Sequence, residues 1–280
     1  MPEKVVVITG ATSGIGRIAA ETLAAQGARI ILVARDRARA ERTLERLRGV
    51  APHSAHQAHI ADLSSLGETK EVGARITAEE PRIDVLINNA GAMFQERGVT
   101  ADGLERTFAL NHMSYFVLSN RLKDRLVAAA PARIVNTASG AHHGRILDFG
   151  DLQAERSYRG LNVYGRSKLA NILFTRELAR RLAGTGITVN CLHPGFVATR
   201  IGENNNLVFR LGLGIAKLFA LSPEKGAETI VYLASSPEVA NVSGGYFYQS
   251  RPATPSTAAR DDATARRLWD ESARIAKLAG

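Results

Sequence analysis

Short apolar runs rich in β-branched residues punctuate the chain, and between them apolar positions recur every three or four residues. The first kind of segment reads as strands buried on both faces: Val5–Thr9, Arg29–Ala34, Ser54–Ile60, Ile83–Ile87, Arg133–Thr137, Ile187–Leu192 and the short Gly245–Tyr248. The second kind reads as helices over Ile15–Gln26, Arg37–Arg48, a stretch opened by Ser64 that fades before Pro81, Asp102–Ala129, Asn162–Leu182 and Pro223–Ser235. Gly27 is a natural stop for the first of these. Strand and helix alternate throughout. That pattern predicts right-handed βαβ units and an α/β architecture with a parallel seven-stranded sheet wrapped on both faces.

Two segments interrupt the alternation. Ser139 to Gly160 is a long connection, and long connections inside compact folds tend to serve function. The stretch from about 200 to 222 carries Leu207, Val208, Phe209, Leu211, Leu213, Ile215, Leu218, Phe219 and Leu221. It reads either as a lid over an apolar substrate or as a buried helix. From about 250 to 280 the chain forms a C-terminal extension, where Leu268, Trp269, Ile275 and Leu278 predict a helix docked by its apolar edge.

Composition narrows the picture only slightly. The 280 residues are 45% hydrophobic and 22% charged, an ordinary globular balance. The net charge of +9 is spread through mixed runs such as Asp36 to Arg42, which read as solvated helix faces rather than a nucleic-acid surface. The same positive balance suits a phosphate-bearing ligand. A single cysteine, Cys191, excludes an intrachain disulfide. The chain enters its first strand directly after Lys4, with no signal peptide and no run long enough to span a bilayer, so a cytoplasmic protein is expected. His53, His56 and His59 invite a metal reading, but residues three apart on a strand face opposite ways; they are expected to be scattered surface or edge histidines, and no metal site is expected.

Two motifs carry chemistry. Thr9-Gly10-Ala11-Thr12-Ser13-Gly14-Ile15-Gly16 joins the first strand to the first helix. Glycines there let the backbone approach a pyrophosphate, which the helix N-terminus attracts. At the tip of the second strand Ala34 stands where an acid would bind the ribose hydroxyls, and Arg35 follows, which favours a 2′-phosphate and hence NADP(H) over NAD(H). Arg17 adds charge nearby; Asp36, one position on, supports the opposite reading under a shifted register. The second motif is Tyr164-Gly165-Arg166-Ser167-Lys168, which sets a phenol and an ammonium on one helical face. A nearby ammonium favours the phenolate, making the tyrosine a candidate acid and base.

Taken with Asp62-Leu63, Asn88-Asn89-Ala90-Gly91, Asn111, Ser139 and Pro194-Gly195, these motifs resemble in order and spacing the short-chain dehydrogenase/reductase family. Within it, Arg133 to Ser139, Ala141 to Arg145, Ser167 to Asn171 and Arg266 to Asp270 are most similar to the retinol dehydrogenase-like branch. The resemblance implies a single Rossmann-type domain over residues 1–280, with strand order 3-2-1-4-5-6-7. It implies a catalytic set of Asn111, Ser139, Tyr164 and Lys168: Tyr164 exchanges the proton, Ser139 binds the substrate oxygen, Lys168 binds the nicotinamide ribose and lowers the tyrosine pKa, and Asn111 bends its helix and holds a water linked to Lys168. It implies a cofactor site formed by Gly10, Thr12, Ser13, Gly14, Ile15, Gly16, Arg35, Asp62, Leu63, Asn88, Ala90, Gly91, Tyr164, Lys168, Pro194, Gly195, Val197 and Thr199. The implied function is an NADP(H)-dependent oxidoreductase for a small apolar alcohol or carbonyl compound, as a possible homodimer or homotetramer. The alternative on the same fold is a non-catalytic nucleotide-sensing protein, which would need neither Tyr164 nor Ser139.

Overall fold

The computed structural model describes Met1, residues 3–195 and residues 222–277. Among the described residues eight strands form one sheet in the order β3-β2-β1-β4-β5-β6-β7-β8. They are β1 Val5–Thr9, β2 Arg29–Ala34, β3 Gln57–Ile60, β4 Val85–Asn88, β5 Ala132–Thr137, β6 Ile187–Leu192, β7 Tyr246–Tyr248 and β8 Arg251–Pro252. The first seven run parallel, as expected. The eighth is a correction to the expected seven: a two-residue strand that turns back antiparallel on β7 and is too short to leave an apolar pattern.

Strand residues alternate between the two faces. Val5, Val7, Ile31, Val33, Leu86, Ile134 and Val189 enter one core, packed under helices α3 (Leu66–Glu79), α5 (Ser114–Arg121) and α7 (Gly160–Arg181). Val6, Ile8, Ile30, Leu32, Ile87 and Val135 enter the other, under α1 (Gly14–Ala25), α2 (Arg37–Val50) and α8 (Pro223–Ser235). Both faces are covered, which is why the strands read as continuous apolar runs.

The expected Asp102–Ala129 helix is shorter and broken. It begins as α4 (Arg106–Phe108), where the fully buried Glu105 accepts the N–H groups of Thr107 and Phe108, both at 2.7 Å. A π-helical turn over Ala109–Met113 follows, then α5, and Leu122 separates α5 from α6 (Lys123–Ala128). The C-terminal helix α9 (Asp262–Ala276) lies against the core: Trp269 stacks on Phe174 at 6.0 Å and meets Phe116 edge-on at 4.9 Å, while Leu278, also named for this helix, lies outside the described residues. His112 Nε2 bonds Ser272 Oγ at 2.8 Å across the same contact.

Of the histidines expected at the surface or the sheet edge, His53 is exposed and His59 lies on the edge strand β3, but His56 and His59 are buried rather than on the surface. His56 Nδ1 accepts the Ile30 N–H at 3.0 Å, so it is a structural link between β2 and the entry to β3. The expected lid at about 200–222 lies outside the described residues except for Ser222, whose hydroxyl caps α8.

Candidate active site

Strand order reverses between β1 and β4, and the C-terminal ends of β1, β4, β5 and β6 open onto one crevice. Ligands of open α/β sheets sit at that switch point. The two motifs read from the sequence arrive there from opposite sides.

The glycine turn forms the first wall. Gly10 and Gly14 adopt left-handed φ values of +69° and +55°. A Cβ on Gly10 would fall 2.8 Å from Ala90 Cα, and one on Gly16 would fall 2.5 Å from Gly10 O and strike the Asn89 amide. Asn89 is a residue to which the sequence pattern gave no role. Its Nδ2 donates to Thr9 O and Gly10 O, and Thr9 Oγ1 accepts the N–H groups of Asn89 and Ala90, both at 2.9 Å. The end of β4 therefore braces the turn. Ser13 stands before α1 without capping it through its side chain, and the first turn of α1 holds no acid. The N–H groups there remain available to an anion.

Beside this wall lies a cleft of about 350 Å³ lined by Thr12, Ser13, Gly14, Thr43 and the arginines 17, 39, 42 and 46. Arg39, Arg42 and Arg46 come from one side of α2. Arg35 is exposed at the end of β2 and does not line the cleft. Asp36 is the N-cap of α2, its carboxylate accepting the Arg39 N–H at 2.8 Å. The acid that supported the opposite cofactor reading thus has a local structural task.

The other nominated cofactor residues are placed in different ways. Ala90 and Gly91 follow β4 on the crevice side; a Cβ on Gly91 would lie 3.1 Å from Asn111 Oδ1 and 3.3 Å from Lys168 Nζ. Asn88 turns inward: fully buried, it donates to Ser119 Oγ at 3.0 Å and Asn136 Oδ1 at 2.9 Å. Leu63 belongs to the core, and Asp62 Oδ1 accepts from the N–H and hydroxyl of Ser64 at 2.9 and 2.7 Å. Pro194 and Gly195 follow β6, with Gly195 N–H donating to His193 Nδ1 at 3.1 Å; Val197 and Thr199 lie outside the described residues.

The expected catalytic residues are brought together on the opposite wall. Asn111 sits in the π-helical turn, a distortion found mostly at functional positions. Its Oδ1 accepts the Ala92 N–H at 2.9 Å, while Nδ2 donates to Ala92 O and Ser167 Oγ, also at 2.9 Å. Ser167 passes the connection on by donating to Tyr164 O at 2.7 Å. This second unassigned residue had one signal in the sequence, its place one turn after Tyr164. Lys168 Nζ donates to Thr137 O at 2.9 Å and lies 5.7 Å from the centre of the Tyr164 ring. Gly165 allows α7 this close: any side chain there would strike Ala141 O and the Arg145 side chain.

Burial governs the titration of this wall. Lys168 is 3% exposed, and desolvation lowers its pKa to about 7. Burial raises the Tyr164 phenol above its ordinary value, with hydrogen bonding to the Ser139 side chain acting in the opposite, smaller sense. The lysine is itself desolvated and held at the Thr137 carbonyl, so its charge is not fully expressed near neutral pH. Tyr115, fully buried, is pushed well upward by burial and then by Tyr164, and the Lys168 ammonium lies 5.6 Å from its ring centre.

A glycine-braced anion cradle faces a phenol, a hydroxyl and a buried amine across a switch-point crevice. The family model for short chain dehydrogenase matches residues 4–207. The chain belongs to the short-chain dehydrogenase family. Human retinol dehydrogenase 13 is 43% identical over 99% of the chain and 86% of its own length. Human retinol dehydrogenase 14 is 44% identical over 97% of the chain and 86% of its own length. This short-chain dehydrogenase is therefore an oxidoreductase of the retinol dehydrogenase-like branch. Among solved structures, an uncharacterised protein of Mycobacterium paratuberculosis superimposes with a TM-score of 0.79 at 30% identity, over 99% of this chain and 96% of its own. Pseudomonas aeruginosa RhlG, solved as an NADP active-site complex, gives a TM-score of 0.70 at 28% identity over 88% of this chain and 94% of its own. The family's nicotinamide cofactor fits the residues present, because the start of α1 has no side-chain cap and no acid in its first turn, and the arginine-lined cleft beside it suits phosphate groups. No helix among the described residues is long and apolar enough to cross a membrane.

Proposed function

We propose that this protein is an NADP(H)-dependent oxidoreductase that interconverts an apolar alcohol and its aldehyde or ketone, with Tyr164 as the proton donor and acceptor. The observation that carries the reading is the meeting of Asn111, Ser139, Tyr164 and Lys168 at the mouth of the crevice that the glycine turn closes on its other side. When bound, the nicotinamide cofactor supplies hydride donor and acceptor chemistry. The chain supplies the proton and the polar contacts. Tyr164, kept protonated by burial, gives its proton to the carbonyl oxygen as negative charge develops there. The Ser139 hydroxyl donates to the same oxygen and stabilises that charge. Lys168, held at Thr137 O, would bind the nicotinamide ribose. Asn111 and Ser167 fix the backbone of Tyr164 to the π-helical turn. The retinol dehydrogenase names of the relatives support a retinol-like alcohol as the substrate class.

Preference for the phosphorylated cofactor is supported by the arginine cleft next to the turn, where Arg17, Arg39, Arg42 and Arg46 converge. A charge-assisted contact is worth about 1.5–3 kcal/mol, or roughly 10- to 100-fold in affinity. The test is a panel of apolar aldehydes and alcohols, retinal and retinol included, assayed with each cofactor and repeated with Arg39→Ala and Arg42→Ala. Turnover with NADPH, and a selective loss of NADPH affinity in the variants, is expected. Absence of turnover across the panel would overturn the enzymatic reading, and equal losses for NADPH and NADH would overturn the cofactor preference.

A further inference from the structure

We propose that His142 is a positioning residue that sets the catalytic Ser139 and couples it to the C-terminal extension. The proposal rests on the reading of Ser139 as the donor to the substrate oxygen. Ser139 opens a single 3₁₀ turn over Gly140–His142, and its hydroxyl oxygen accepts the Ala141 N–H at 3.2 Å, which leaves the hydroxyl hydrogen to donate outward. Its carbonyl is held twice by one residue: the His142 backbone N–H donates at 3.2 Å and the His142 ring at 2.7 Å. A carbonyl only accepts, so Nδ1 carries the proton. On the far side of the ring, Nε2 is 3.2 Å from the backbone N of Ser256, which only donates. The two bonds fix one neutral tautomer.

The ring is fully buried, lies 4.0 Å from the His143 ring centre and meets Tyr246 edge-on at 5.4 Å. Ser256 lies between β8 and α9, more than a hundred residues along the chain from Ser139. A buried histidine satisfied on both nitrogens would serve packing anywhere. What distinguishes this one is that its donated hydrogen lands on the peptide of the serine that must be aimed. The catalytic set does not otherwise use it.

Two substitutions separate its bonds. In His142→Asn the amide falls near the Nδ1 position and can still donate to Ser139 O, while the Ser256 bond is lost. In His142→Gln the amide falls near the Nε2 position and can still accept from Ser256, while the Ser139 bond is lost. The experiment measures retinal reduction by NADPH and backbone hydrogen exchange of the full-length protein. Ser139→Ala tests the underlying reading, and Ile76→Val on α3 serves as a generic core lesion. His142→Gln is expected to lower kcat roughly tenfold at unchanged KM for NADPH and to speed exchange over 138–146. His142→Asn is expected to keep most of kcat and to speed exchange over 253–260. Equal kcat in the two variants, or kcat losses that follow thermal stability as in Ile76→Val, would overturn the proposal. Wild-type activity in Ser139→Ala would instead overturn the reading of Ser139, and the exchange contrast would still decide whether His142 couples the two segments.

Discussion

At the Thr9–Gly16 turn the backbone is the shape. Missing Cβ atoms let the turn pack closely on the end of β4, Asn89 and Thr9 tie it there, and the N-terminus of α1 is left without a side-chain cap. Across the crevice, the Ser139–Lys168 wall is a set of side chains held by one another. Asn111 reaches Ser167, Ser167 reaches Tyr164, Lys168 reaches the Thr137 carbonyl and His142 grips Ser139. Both walls bring groups from distant strands to one point, but they fail differently. Distortion of the turn displaces the anion contacts, which are binding. Distortion of the opposite wall misplaces a proton donor, which is rate. The comparison therefore predicts that variants on the two sides separate cofactor affinity from kcat.

The largest expected effect on the binding side is Gly16→Ala. The new methyl group would overlap Gly10 O and the Asn89 amide, and overpacking of this kind costs about 1–3 kcal/mol. NADPH affinity, measured by titration calorimetry, should fall roughly 10-fold or more, with kcat at saturating cofactor much less affected. A kcat loss at intact affinity would break the division. Gly165→Ala makes the converse case on the other wall. Its methyl group would push α7 away from Ala141 O, so kcat should fall while NADPH affinity stays within about twofold.

A smaller effect separates the walls by pH. Lys168 titrates at about 7 in the folded protein, below its ordinary value of 10.5. Above pH 7 the unfolded chain keeps a proton at this position that the folded chain has released, so this contribution to stability rises with pH. Its slope is at most about 1.4 kcal/mol per pH unit, that of a one-proton difference. Denaturant melts of the cofactor-free protein between pH 7 and 8.5 should show Lys168→Met gaining less from the rise than the wild type, and being the more stable of the two at pH 7. Parallel curves would mean that Lys168 is not desolvated. The same substitution should abolish turnover.

The two walls were also unequally legible in the sequence. The glycine turn is local, so its spacing and its place between strand and helix were enough to find it. The Tyr164 and Lys168 pair was visible for the same reason, as an i, i+4 spacing inside one helix. The contacts that hold that wall were not visible, because they join residues far apart in the chain. Asn111 to Ser167 spans 56 positions and His142 to Ser256 spans 114. Asp36 shows the opposite limit. Its type and position fitted either a ribose ligand or a helix cap, and the cap is visible only in the backbone geometry at the start of α2. The π-helical turn left no pattern of its own, since one extra residue in a turn hardly changes helical periodicity over a long apolar helix. Leu63 and Asn88 illustrate a third case. The motif located the right region, but Asn88 turns inward from β4 and Leu63, in the connection after β3, packs into the core.

The most direct test of the central claim is Tyr164→Phe, with NADPH affinity and turnover measured on the same preparation. Loss of one phenolic oxygen removes the proton donor and leaves the glycine turn, the arginine cleft and the Lys168 contact to Thr137 O untouched. NADPH affinity is expected within about threefold of wild type and kcat lowered by roughly 10²- to 10⁴-fold, the usual contribution of a positioned general acid. Retained turnover, or an affinity that collapses together with the rate, would contradict that claim.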